Sequence, residues 1–280
     1  MDLIAAVPFL EGALSADEFL AQLEAQRDQL ARLEQERADL QIEIEAFRLE
    51  YTARVGEAQA ELEALEIHIA EYRLRNELLR LRRGEIDAAR LEYEIEWQLR
   101  GRREQFAGYQ ESVRRAAYAA DVQRPAPAAS DAPALKSIYR ELAKRIHPDL
   151  ASDANERGAR GQLMAQANEA YARFDAQALQ AMLAQATGLR PEPVTRSADQ
   201  LRAEMARLDR IIAEVRGEIA ELNRSAWMSM KLDASLARSR GLDWFANARR
   251  QIEAQVAQRR IELDGLVAEF RDLVHQFGLV

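Results

Sequence analysis

Residues 201–222 read LRAEMARLDRIIAEVRGEIAEL. Leu201, Met205, Leu208, Ile212, Val215, Ile219 and Leu222 alternate steps of four and three without an error. That spacing puts them all on one stripe of an α-helix, which packs lengthwise against another helix. A second run follows through Ile252, Val256, Leu263, Leu266, Phe270, Leu273 and Phe277, with His275 on its surface edge. Between the two lie Asn223, Ser225 and Gly241 and a short apolar stretch with Trp227 and Met230. Two seams joined by a compact connector predict an antiparallel helical hairpin over 197–280.

The other end of the chain carries the same pattern less cleanly. Ser15-Ala16-Asp17-Glu18 has capping-box spacing, so a helix starts there. Leu23, Leu30, Leu33, Leu40, Ile44, Phe47 and Tyr51 form a seam flawed by Arg37. Beyond Val55-Gly56 the seam resumes through Ala58, Leu62, Leu65, Ile69 and Tyr72 in a shifted phase, which reads as a stutter or a bend. No proline interrupts this stretch before Pro125. As one straight helix, residues 15–121 would extend on the order of 150 Å. A fold-back near Gly84 is the other solution. His68 falls on a coiled-coil face, as a tolerated seam residue.

Composition agrees with an all-α chain. Of the 280 residues 31% are charged and only 6% aromatic, with a formal net charge of −8. The two signs are interleaved, so there is no basic footprint for nucleic acid. No cysteine is present, which removes disulfides and thiolate metal sites, and the three histidines His68, His147 and His275 are far apart in sequence. Residues 1–14 are apolar but carry Asp2 and Pro8, so they read as a packing segment and not as a signal peptide or a membrane span. The expected location is cytoplasmic, where the sequon Asn223-Arg224-Ser225 has no meaning. Neither a phosphate-binding loop nor a dinucleotide fingerprint occurs. His147 and Asp149 lie in a loop with no candidate nucleophile nearby. The reading is therefore no enzyme, no cofactor and no metal.

Two linkers bracket the informative unit. Residues 122–134, VQRPAPAASDAPA, and 188–196, around Pro191 and Pro193, cannot continue a helix. Between them, over 135–187, comes LKSIYRELAKRIHPDL. Leu135, Ile138, Tyr139, Leu142 and Ile146 form an apolar helix face. Lys136, Arg140 and Lys144 line another face, flanked by Arg145. Pro148 stops the helix and pushes His147 out of helical conformation. Asp153 and Glu156 then open a further helix, with Leu163, Met164, Ala167, Ala170, Tyr171 and Phe174 as its apolar face. Asp175 caps a last short helix through Leu179, Met182 and Leu183. Such amphipathic helices around a rigid loop pack antiparallel.

This unit resembles the J-domain of DnaJ-type co-chaperones. Tyr139-Arg140, Leu142-Ala143 and His147-Pro148-Asp149 sit at the family's spacing, and Asn168-Glu169-Ala170-Tyr171 matches its third-helix signature. The family's first helix has no counterpart, Leu150 stands where a basic residue is usual, and Gly158 and Gly161 weaken the start of the third helix. The unit is thus similar to a shortened J-domain, an insert in a bacterial-type coiled-coil protein that borrows its missing helix from elsewhere in the chain. The resemblance implies a binding site for a DnaK-type chaperone ATPase made of His147, Pro148, Asp149, Lys136, Arg140, Lys144 and Arg145.

The expected function is a co-chaperone or adaptor whose coiled coils self-associate or hold a protein client. The alternative is an elongated coiled-coil scaffold in which the hairpin is only a packing module. Because the arm over 15–121 has no equally regular mate, its expected partner is a second copy in a homodimer.

Overall fold

The computed structural model describes residues 16–83, 85–121, 132–151, 153–186 and 197–278. The chain is all-α. Its elements are α1 (Ala16–Leu81), α2 (Ala88–Asp121), α3 (Ala132–Ile146), a 3-10 turn (Pro148–Leu150), α4 (Ala154–Ala172), α5 (Ala176–Ala186), α6 (Ala198–Arg224), α7 (Ala226–Ser239) and α8 (Trp244–Phe277). No described helix is long and apolar enough to cross a membrane. The helix of α3 begins at Ala132, inside the stretch read as linker, and Ser15 lies outside the described residues.

The chain divides into two compact units, one of Met1–Glu43 with Pro125–Ser225 and one of Ile44–Arg124 with Ala226–Val280. In the first, α1 carries two apolar rows. Phe19, Leu23 and Leu30 pack against Leu201, Leu208, Ile211, Ile212, Val215 and Ile219 of α6. On its other side Ala31 and Ala38, with Ile42, join a core made by Leu135, Tyr139, Leu142 and Ile146 of α3, Met164, Ala167 and Tyr171 of α4, and Leu179 of α5. Alanine at 31 and 38 leaves room for the hairpin to lie close to α1. Asp153 caps α4 by accepting the Glu156 N–H at 2.8 Å, and Asp175 caps α5 by accepting the Ala178 N–H at 2.9 Å. Phe174 departs from expectation. It stands just past α4 with φ 57 and is 43% exposed, because the chain turns there into α5.

In the second unit α1 turns back into α2 within a few residues, and Arg83 takes a left-handed φ of 51 at that turn. The fold-back is thus the solution adopted. Leu79, Ile86, Leu91, Ile95 and Leu99 share one core with Leu273 of α8. A second core joins Phe47, Val55, Ala58 and Leu62 to Ala234, Phe245, Ile252 and Val256, rimmed by Tyr51, Trp227 and Trp244. Gly56 is where the phase shift falls. A Cβ there would lie 3.1 Å from a methyl of Val113 on α2, so the helices approach too closely for a side chain.

Two expectations are corrected. The seam of α6 packs on Phe19, Leu23 and Leu30 of α1 in the first unit, and that of α8 packs through Ile252 and Val256 on Phe47, Val55, Ala58 and Leu62 of α1 in the second. Ser225 is the single extended residue between α6 and α7, and the C-terminal hairpin that forms is α7–α8, turned at Gly241 with φ 73. The second correction concerns the arm. Its seam is covered by α6 in one unit and by α2, α7 and α8 in the other. Burying each leucine is worth roughly 1.5–3 kcal/mol, and that need is met inside the chain. His68, read as a seam residue, points to solvent.

Candidate functional site: the His147 turn

The turn is built by three local rules. Proline at 148 cannot donate to the α3 ladder, so α3 ends at Ile146, and His147 takes an extended ψ of 129. The Leu150 N–H then bonds the His147 carbonyl at 3.0 Å, and the Ala151 N–H bonds that of Pro148 at 3.2 Å. The Asp149 N–H donates to His147 Nδ1 at 3.2 Å. With Nδ1 accepting, the ring proton resides on Nε2, which faces Glu34 Oε1 of α1 at 3.4 Å. Both ring nitrogens are therefore engaged within the chain, and His147 is only 5% exposed.

Glu34 is 2% exposed, and such a carboxylate needs compensation. It receives the Arg37 guanidinium as well as His147. Arg37 in turn reaches Glu218 of α6 at 2.5 Å. The residue that looked like a flaw in the seam is thus the counter-ion of a buried acid. Burial works against the Arg37 charge, but Glu34 and Glu218 outweigh it and raise its pKa.

Asp149, the last of the three, is half-buried at the surface. Its Oδ1 lies 4.0 Å from Nη2 of Arg207, an atom that is buried without a hydrogen-bond partner among the described residues. Arg160 of α4 fastens the turn from the other side. Its Nη1 donates to the Arg145 carbonyl at the end of α3, at 2.9 Å, while Nε and Nη2 hold Glu156.

The signature residues of α4 are structural in their contacts. The Tyr139 hydroxyl donates to Asn168 at 2.6 Å, and the Tyr139 and Tyr171 rings stack with centroids 4.4 Å apart. The Tyr171 hydroxyl donates to Asp39 of α1 at 2.6 Å. Burial, with Glu34 near Tyr139 and Asp39 bonded to Tyr171, raises both phenol pKa values. Burial alone would raise the Asp39 carboxyl, but hydrogen bonds from Lys136, Tyr171 and Gln35 outweigh it and hold it below its ordinary value.

The basic face of α3 divides. Lys136 bonds Asp39 at 2.8 Å, and Lys144 bonds Asp28 at 2.5 Å with Glu24 at 3.8 Å. Both lysines are thus turned to α1 and not simply solvated opposite the apolar face, because α1 lies along that side. Arg145 pairs with Glu141 at 2.7 Å. Arg140 is half-buried between them in sequence, and its charge acts on Tyr171. Periodicity placed the turn and the basic row, but Glu34, Arg37, Asp39 and Arg160 were missed. Only Arg37, a cation in an apolar seam, carried a sequence signal. Comparison with protein-family models, with curated proteins and with solved structures returned no match.

Proposed function

We propose that this chain is a J-domain-like co-chaperone or adaptor that engages a DnaK-type ATPase through Asp149 and the basic residues of α3. The observation that carries this reading is the bracing of the Pro148–Leu150 turn. His147 holds the Asp149 N–H, Glu34 stands behind His147, and Arg160 ties the end of α3 to α4. A turn held this way presents the Asp149 carboxylate with little entropy left to lose on binding. In this reading α1 takes the place of the family's first helix, through Ala31, Ala38 and Ile42.

His147 then acts as a positioning residue and Asp149 as the contacting one. The lysines are available despite their partners. Partly exposed ion pairs contribute only about 0–1 kcal/mol, so an acidic surface can take Lys136 and Lys144 over from Asp39 and Asp28. Arg140 and Arg145 add charge that speeds encounter. The other helices supply surface for self-association or for a client.

A second reading, the hairpin as packing module in a helical scaffold, is favoured by the burial of His147 against Glu34. Single-turnover ATP hydrolysis by a DnaK-type chaperone separates the two. The co-chaperone reading expects stimulation by the full chain and its loss in Asp149→Asn. No stimulation at any concentration leaves the packing module.

A further inference from the structure

The α2 helix has a face that no other described residue covers. Tyr93, Trp97 and Tyr118 are 68%, 70% and 73% exposed. At 100° per residue they fall on one stripe with Arg90, Arg100, Gly101, Glu104, Gly108, Glu111 and Arg115, opposite the buried Leu91, Ile95 and Leu99. A tyrosine and a tryptophan one turn apart, both mostly in water, mark an interaction surface more than a solvated one. Gly101 and Gly108 lie between the aromatics, and a Cβ at either would meet nothing. Unlike Gly56, they are not required by packing among the described residues, although a helix-interior glycine costs about 1 kcal/mol relative to alanine. Glycines 158, 161, 217 and 265 are equally open, so these two count only for their place between the aromatics.

We propose that a second copy of this chain docks on this face, with the two α2 helices antiparallel about Glu104. The stripe is complementary to itself in that register. Tyr93 comes level with Arg115 of the other copy and Arg90 with its Tyr118, which sets four cation–π pairs across the two-fold. Trp97 comes level with Glu111, whose carboxylate can accept the indole N–H. Arg100 comes level with Gly108, where the absent side chain admits the guanidinium stem. Glu104 meets its own copy at the axis, but each is already held by Arg100 at 2.9 Å. This is the self-complementary pattern a two-fold interface requires.

The area is adequate. Three aromatics per copy, at their present exposure, remove on the order of 800 Å² from water, and the charged stems add to it, against about 1,200 Å² for a small stable interface. The dimer differs from one made by the 15–75 seam, since that seam is covered. It also does not depend on the co-chaperone reading.

The full chain has no cysteine, so single cysteines report without background. Sedimentation equilibrium should give a dimer for the wild type. Tyr93→Ser with Trp97→Ser, or Arg115→Glu alone, should weaken it at least about tenfold in Kd. Under mild oxidation Glu104→Cys should form a covalent dimer. Trp97→Cys should not, because the two copies of position 97 lie about 21 Å apart along the axis. Ser229→Cys on the exposed side of α7 should form no covalent dimer. A wild-type monomer at every concentration overturns the proposal. So does a dimer that withstands both substitutions, or cross-linking at Trp97→Cys that matches that at Glu104→Cys.

Discussion

Two sets of polar contacts join the α3–α4 hairpin to α1, and they differ in kind. Glu34, His147 and Arg37 form a chain in which the acid and the histidine are shut away from water. Lys136 with Asp39, and Lys144 with Asp28, lie at the rim, where each side chain keeps some exposure. A buried carboxylate without its counter-ion is costly, whereas a partly solvated pair is nearly neutral. The first set fixes where the turn sits. The second leaves cations that can change partners at little cost.

The largest expected effect comes from the buried set. Arg37→Met strips Glu34 of its counter-ion and should lower the unfolding free energy by about 3 kcal/mol, measured by urea denaturation of the full chain. An effect no larger than that of a surface substitution would erase the distinction. Next in size is His147→Gln, which orphans Glu34 on one side and the Asp149 N–H on the other. It should cost about 1–2 kcal/mol. Tyr171→Phe removes only the bond to Asp39 and should cost about 1 kcal/mol.

The smallest effects belong to the rim. Lys136→Ala with Lys144→Ala should change stability by less than about 1 kcal/mol, while weakening chaperone binding at low salt. An equal loss in high and low salt would argue for an apolar contact. Acid sharpens the same contrast. The Asp39 carboxyl is held below its ordinary value in the folded state. Its contribution is therefore fully present above the unfolded value of about 3.9 and is lost as pH falls through the lower folded value. Asp39→Asn should flatten the acid limb of a stability–pH curve. A limb unchanged by that substitution would show that Asp39 does not carry it.

The helices, the caps at Asp153 and Asp175 and the turn at Pro148 were legible in the sequence, because each depends on residues within a turn or two of one another. The partners of the seams were not. One row of leucines fits another, so the clean run 201–222 did not reveal that it meets Phe19, Leu23 and Leu30. Nor did the leucines of α1 disclose a second row, because that row begins with Ala31 and Ala38, whose small size reads as plain helix propensity. The site was legible as far as its own segment extends. The groups that brace it arrive from α1, more than a hundred positions away in sequence at Glu34 and His147, and only the misplaced Arg37 hinted at them.

The proposed function divides labour within three residues: His147 braces the turn and Asp149 makes the contact. It is tested most directly by measuring single-turnover ATPase stimulation and unfolding free energy on the same Asp149→Asn protein. Stability should stay within about 0.5 kcal/mol of wild type while stimulation of the DnaK-type chaperone is abolished. Stimulation that survives in a fully folded Asp149→Asn protein would contradict it.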